Sequence, residues 1–320
     1  MTCLCSGIFF ADVACWPISH LPMEGELVTT EKIELSLGGH AANVSVGLSR
    51  LGVPVTTAGC VGDDGLSDFI LNAVSVPGVD LSRVQRSPGR CPGTAMHINV
   101  RGQDRRFICT TGANDDFTLD DSLFEFIKSA PKSDRKVFYL GGFFMLRSLE
   151  NSRTVDFLKS AQANGWTTMI DVVLNGPRPY GELIEPLLPY TDIFLPNEHE
   201  GEKICDHRDP YDQAKAFLDA GVKTTIITQG ENGTLCFGEK EQFRAGIFPA
   251  DYVSGSGSGD AFSAGMIAAI LEGLELRDVV RWGSAMGASA VHGVSTTETV
   301  FTRSELLEFL DRQELVIEPV

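Results

Sequence analysis

Apolar and polar positions change period along this chain, and the changes mark its elements. Residues 3 to 13 make a nearly continuous apolar run that ends at Asp12, which predicts a first strand with an acid at its C-terminal edge. A loop bearing Pro17, Pro22 and Gly25 follows. Residues 26 to 37 alternate polar and apolar side chains, the period of a half-buried strand outside the main layers. The start Gly38-Gly39-His40-Ala41-Ala42-Asn43 leads into a helix over Val44 to Leu51 that stops at Gly52. Val55 to Val61 predicts a short strand, and Gly62-Asp63-Asp64-Gly65 a turn that opens a helix over 66 to 76. Residues 94 to 100 and 105 to 111, separated by Arg101-Gly102-Gln103-Asp104, predict a hairpin that joins the small sheet begun at residue 26.

From residue 122 helices and strands alternate: helix 122 to 129, strand 137 to 140, helix 149 to 164, strand 167 to 173, helix 181 to 188, strand 192 to 195, helix 210 to 220, strand 224 to 228. That rhythm predicts βαβ units and a parallel sheet with helices on both faces. Runs at 233 to 237 and 242 to 248 predict edge strands. The stretch from Ser254 to Gly273 follows, and helices near 276 to 292 and 303 to 312 end the chain.

The 320 residues contain no linker, repeat or low-complexity segment, so 1–320 reads as a single α/β domain with small-sheet strands inserted at about 13–37 and 94–112. No apolar run approaches the ~20 residues of a membrane helix, which argues against a membrane protein. The N-terminus lacks a basic segment ahead of its apolar residues and carries an acid at Asp12. It reads as a strand and not as a signal peptide, and the chain as cytoplasmic. Eight scattered cysteines without a Cys-x-x-Cys pair fit that compartment as core thiols. Lys and Arg number 26 and Asp and Glu 43, a net charge of -17. That balance argues against nucleic acid, and it requires any anionic ligand to be held by a local device.

Such a device is legible at Ser254-Gly255-Ser256-Gly257-Ser258-Gly259-Asp260, which runs into an apolar, small-residue helix. A glycine loop entering a helix aims unpaired N–H groups and the positive end of the helix dipole at one point. Asp260 stands at its mouth. A carboxylate there repels a bound phosphate, but it can take the proton of a hydroxyl that attacks a phosphoryl group. The competing reading is that Asp260 caps the helix. Further polar groups are expected at strand or helix ends. Asp12 could grip a polar substrate or cap a loop. Gly38 and Gly39 let a ligand approach the backbone, and Asn43 could bond a ligand hydroxyl. Asn197 and Glu200, three apart, could hold Mg²⁺ through water or form a polar helix cap. Thr228 and Gly230 flank a turn that could donate to a phosphate, and Asp171 ends its own strand. Arg105, Arg106 and Phe143 lie where the hairpin and a strand end could meet substrate.

These segments, in this order, resemble the ribokinase or PfkB-type carbohydrate kinase family over nearly the full chain. The resemblance rests on Gly38-Gly39-x-x-x-Asn43, Asn197-x-x-Glu200, Thr228-x-Gly230 and the signature at 254–260. It implies a three-layer α/β/α fold with a mostly parallel central sheet and a small β-sheet lid that pairs two copies in a homodimer. It also implies ATP and Mg²⁺, with Asp260 as the base and the N–H groups of Gly257, Ser258 and Gly259 as the anion hole. Asn197, Thr228 and Gly230 would serve the nucleotide and Glu200 the metal, through water. Asp12, Gly38, Gly39, Asn43 and Arg106 would serve the sugar. Ser254 and Gly255 replace the family's Asp-Thr, so dependence on a monovalent cation is doubtful, and the segment from Ala288 to Thr297 aligns poorly.

The expected activity is transfer of the γ-phosphoryl of ATP to a hydroxyl of a small sugar or sugar acid. A nucleoside kinase of the same fold and a catalytically silent ligand sensor are the alternatives. A Rossmann dehydrogenase is disfavoured, because no early strand leads into Gly-x-Gly-x-x-Gly.

Overall fold

The computed structural model describes residues 1–103, 106–132, 134–293 and 295–320. In chain order the strands are β1 (Thr2–Gly7), β2 (Phe10–Ile18), β3 (Ile33–Gly38), β4 (Val55–Val61), β5 (Val79–Arg86), β6 (Gly93–Val100), β7 (Arg106–Thr110), β8 (Lys136–Gly141), β9 (Thr167–Asp171), β10 (Ile193–Leu195), β11 (Thr224–Thr228), β12 (Thr234–Gly238), β13 (Gln242–Ala245) and β14 (Ile317–Pro319). The helices are α1 (His40–Arg50), α2 (Gly65–Val74), α3 (Asp121–Ser129), α4 (Ser152–Ala163), α5 (Tyr180–Ile184), α6 (Glu198–Cys205), α7 (Pro210–Asp219), α8 (Ser258–Glu272), α9 (Leu276–Ala290) and α10 (Arg303–Arg312).

Ten strands form one sheet in the order β14-β13-β12-β11-β10-β9-β8-β1-β4-β5. From β11 to β5 the neighbours run parallel, and β12, β13 and β14 add antiparallel pairs at one edge. Both faces are covered. Cys3 and Cys5 of β1 and Val137 and Tyr139 of β8 join one core, which contains residues of α1, α8 and α9. The alternate residues Leu4, Phe138 and Leu140 join a second core with Phe157 of α4 and Phe217 of α7. Alternation explains why these strands read as continuous apolar runs. A separate four-stranded sheet, in the order β3-β2-β6-β7, carries the inserted strands. No helix among the described residues is long and apolar enough to cross a membrane.

The structure corrects the expected elements in several places. The run over 3 to 13 is two strands, because the chain leaves the large sheet after Gly7 and enters the small one at Phe10. Asn114 fixes the crossing by donating to the Phe9 carbonyl and accepting the Phe9 N–H, each at 2.9 Å. Asp12 therefore projects from the small sheet and does not end a strand of the large one. The strand expected over 26 to 37 shortens to β3, since Glu26 is drawn into a loop where it accepts the Met23 N–H. The predicted helix over 181 to 188 ends after α5, short of Pro186 and Pro189, which bring no backbone donor. Two strands were not expected at all, β5 and β14. Both lie at sheet edges, where polar residues such as Asp80, Ser82 and Glu318 interrupt the apolar pattern.

Candidate active site

The site lies where the small sheet overhangs the ends of β9, β10 and β11. Its first wall comes from the start of α1. Gly39 has φ 93°, and a Cβ there would lie 2.4 Å from the Ile8 carbonyl oxygen, so only glycine lets the chain turn into the helix here. A Cβ on Gly38 would lie 2.2 Å from Asp12 Oδ2. That missing methyl is the space Asp12 occupies. Asn43 follows in the first turn of α1, buried, with its side chain directed at α8.

The second wall is the loop at 254–260. Gly257, in the left-handed region at φ 78°, is the N-cap of α8 and provides no side-chain cap. The Ala261 N–H closes the first helical bond on the Gly257 carbonyl, and the Ser258 N–H makes only a long 3.4 Å contact with Gly255 O. The amides of Gly259 and Asp260 belong to the uncapped first turn, which favours an anion. Asp260 is not the cap of its helix. Its carboxylate lines a cavity of about 510 Å³, accepts the Asn43 side-chain N–H at 2.7 Å through Oδ2, and stands 4.0 Å from His40 Nε2 through Oδ1.

The third wall holds the remaining polar residues. Asn197 caps α6 in a reciprocal capping box, its Oδ1 accepting the Glu200 N–H at 2.9 Å while Glu200 Oε2 accepts the Asn197 N–H at 2.8 Å. The residues thus form the helix cap, and both still line the cavity. Asn197 also pairs with Thr228 at the end of β11. Asp171, at the end of β9, accepts from the Tyr139 hydroxyl at 2.9 Å.

This cluster is acidic and dry enough to shift its own titrations. Burial, reinforced by Asp171, pushes the Glu200 carboxyl up to about 8. Burial, together with Asp260, pushes Asp171 up to about 6, against the opposing effects of His40 and Tyr139. Burial alone would lower the His40 imidazole, but Asp260, Asp171 and Glu200 outweigh it and hold its pKa above the usual value. Among the described residues no group of three or more His, Cys, Asp or Glu is placed to hold a metal.

A second cavity, of about 640 Å³, lies behind the same loop. It is lined by Gly230, Ser258, Phe248 and Tyr252, and it shares Thr228, Gly255, Gly259 and Phe262 with the first. The loop is therefore the partition between two cavities, with Asp260 on one side.

Of the residues singled out in the sequence, Asp12, Gly39, Asn43, Asp171, Asn197, Glu200, Thr228, Gly257, Gly259 and Asp260 line the first cavity and Gly230 and Ser258 the second, while Gly38 lines neither and sits behind Asp12. Arg106 is not brought in: it is exposed, donates to Gln103 Oε1 at 2.6 Å and lines neither cavity. Phe143 is fully buried against Phe144. Arg105 lies outside the described residues. Sequence reasoning missed His97 and Phe107 of the small sheet, and Thr296. His97 Nε2 stands 3.6 Å from Asp12 Oδ2, and its ring meets Phe107 edge-on at 4.7 Å. Strand alternation carried the signal for the first pair, because Ala14 of β2 pairs with His97 and puts it on the face of Asp12.

The family description "pfkB family carbohydrate kinase" matches residues 2–303. The chain is 26% identical to the ribokinase of Haemophilus influenzae over 299 residues, which covers 92% of this chain and 94% of that protein. It is 28% identical to the 2-dehydro-3-deoxygluconokinase of Bacillus subtilis over 308 residues, covering 91% and 92% respectively. The structure of Arabidopsis thaliana ribokinase complexed with ribose and ATP has the same fold, with a TM-score of 0.85 at 23% identity over 97% of this chain and 98% of that one. The loop between two cavities, the fold and the match across residues 2–303 lead to one conclusion: the chain belongs to the pfkB family of carbohydrate kinases.

Proposed function

We propose that the protein transfers the γ-phosphoryl group of ATP to a hydroxyl of a small sugar or sugar acid by direct in-line displacement. One observation carries the reading: the amide-bearing loop at 255–259 separates two cavities, and Asp260 faces one of them. Asp260 takes the proton as the acceptor oxygen bonds to phosphorus, and the bond from phosphorus to the β–γ bridging oxygen breaks, releasing ADP. The amides of Gly257, Ser258 and Gly259, with that of Asp260 beside them and the dipole of α8 behind, stabilise the charge on the transferring oxygens. Thr228 and Gly230 border the nucleotide's phosphates from the larger cavity.

The donor set fits Mg²⁺ held mostly by others. Glu200 keeps one carboxylate oxygen free of the capping box, Asn197 lies beside it, and among the described residues no group of three or more His, Cys, Asp or Glu completes a cage. That is what Mg²⁺ needs when phosphate and water supply most of its shell. The ion would neutralise charge between the β- and γ-phosphates. Ser254, where the family carries Asp, brings no carboxylate, and a monovalent cation has no part in this reading.

Asp12, Asn43 and His97 can bond acceptor hydroxyls, and the described lining of this cavity contains no Lys or Arg. The small sheet serves as the lid that keeps water from competing for the phosphoryl group. Its outer face suits a partner copy. Leu35, Val13, Met96 and Ile108 face one another in a row across all four strands, and Leu35, Met96 and Ile108 are exposed.

The test is a thermal-shift panel of D-ribose, 2-dehydro-3-deoxygluconate and adenosine with a non-hydrolysable ATP analogue, followed by ATP turnover with the stabilising acceptor. Stabilisation and turnover with a sugar are expected. Response to adenosine alone would move the assignment to a nucleoside kinase, and binding without turnover to a sensor.

A further inference from the structure

Thr296 lies between α9 and α10, in the segment from Ala288 to Thr297 that aligns poorly with the family pattern, yet it touches three working parts of the site. Its side chain is buried, and its hydroxyl oxygen stands 3.0 Å from Asn43 Oδ1 and 2.8 Å from the Leu37 carbonyl oxygen. Asn43, 4% exposed, passes the contact on by donating from Nδ2 to Asp260 Oδ2 at 2.7 Å. Leu37 precedes Gly38, the residue against which the Asp12 carboxylate is seated. The backbone of Thr296 also packs on Gly257, where an added Cβ would lie 2.6 Å from the Thr296 carbonyl oxygen.

The chemistry of the chain of contacts is directional. A carboxylate accepts only, so Asp260 selects the amide face that donates; the single Thr296 O–H, facing two acceptors, is shared between the Leu37 carbonyl at 2.8 Å and the opposite end of that amide at 3.0 Å, and ties the amide to the end of β3. Without the hydroxyl, the buried Oδ1 has no donor, and the amide must shift to find one. A carboxylate tied to that amide shifts with it.

We propose that Thr296 is a positioning residue for phosphoryl transfer: through Asn43 it fixes the Asp260 carboxylate, with Oδ2 bound and Oδ1 left to take the acceptor's proton. The proposal rests on Asp260 being the base.

Thr296→Val removes the hydroxyl at nearly constant shape, and Thr296→Ser keeps it. With ATP and whichever of D-ribose, 2-dehydro-3-deoxygluconate or adenosine the wild type turns over fastest, the valine variant should lose roughly tenfold or more in kcat. Small displacements of a reacting group have effects of that size. KM for ATP should stay within about twofold, because nothing in the larger cavity moves. Serine should restore most of the rate, and in an Asn43→Ala background Thr296→Val should cost nothing further. Full kcat in the valine variant, an equal loss in the serine variant, or an added loss in the Asn43→Ala background would each overturn the proposal. Should Thr296→Val fail to fold, Thr296→Ala, which adds no bulk, carries the same expectations. A crystal structure of the valine variant needs no acceptor: the Asn43 amide and the Asp260 carboxylate should move together from their wild-type places, and both side chains in unchanged positions would refute the role. Asp260→Asn separates the two levels. If it keeps its activity, the base assignment fails; if it is inactive while the valine variant is normal, only the positioning role fails.

Discussion

At position 38 a single methyl group decides whether Asp12 has room. Gly38→Ala would place Cβ 2.2 Å from the carboxylate, which can rotate away at small cost to the fold. The expected result is a raised KM for the acceptor with an unchanged melting temperature. Gly39→Ala is different, because it meets backbone at 2.4 Å and requires a side chain at φ 93°. It should lower stability by roughly 1–3 kcal/mol, read by denaturant unfolding; a milder effect would mean that the turn is looser than described. The carboxyls give a pH signature. Glu200 at about 8 and Asp171 at about 6 both lie above the ordinary carboxylate range, so the folded chain holds more protons than the unfolded one between roughly pH 4 and 8. Stability of the unliganded protein therefore falls as pH rises through that window. Glu200→Gln should melt higher than wild type at pH 8 and about equally at pH 5, and a pH-independent difference would contradict the burial argument. Most of these residues were legible in the sequence, because glycine pairs, an acid after a glycine loop and an Asn-x-x-Glu turn each have a local physical reason. Thr296 was not, since its importance lies in contacts with residues more than two hundred positions away.

Elements were legible where their environment is uniform. β8, buried throughout, and α8, apolar on every side, read directly from composition. The first strand misled because a continuous apolar run does not record that the chain changes sheets at Phe9, a step that Asn114 stabilises from a distant loop. β5 and β14 were lost because edge strands tolerate polar residues on their open sides. The small sheet shows the reverse problem. Its hairpin was visible, but the division between its two faces was not, and only register separates the apolar row of Val13, Met96 and Ile108 from the cavity face of Asp12 and His97. If the outer row pairs two copies, Ile108→Arg should halve the mass measured by light scattering. A mass unaffected by the substitution would remove this face from the interface.

For the molecule as a whole, a net charge of -17 sets the problem that the loop at 254–260 would solve under the proposed function. Binding by a basic patch weakens as salt rises, whereas here added salt screens a repulsive field and leaves short-range amide bonds largely intact. KM for ATP should therefore hold steady or fall between roughly 50 and 300 mM salt. A steep rise would reveal a basic patch beyond the described lining. The ten-stranded sheet brings the ends of β9, β10 and β11 together under the small sheet, so one loop can serve two cavities. The most direct measurement is the turnover number of Asp260→Asn with ATP and the acceptor found for the wild type. Loss of roughly 10² or more with KM for ATP preserved is the predicted result, and a rate equal to wild type would contradict the account at its centre.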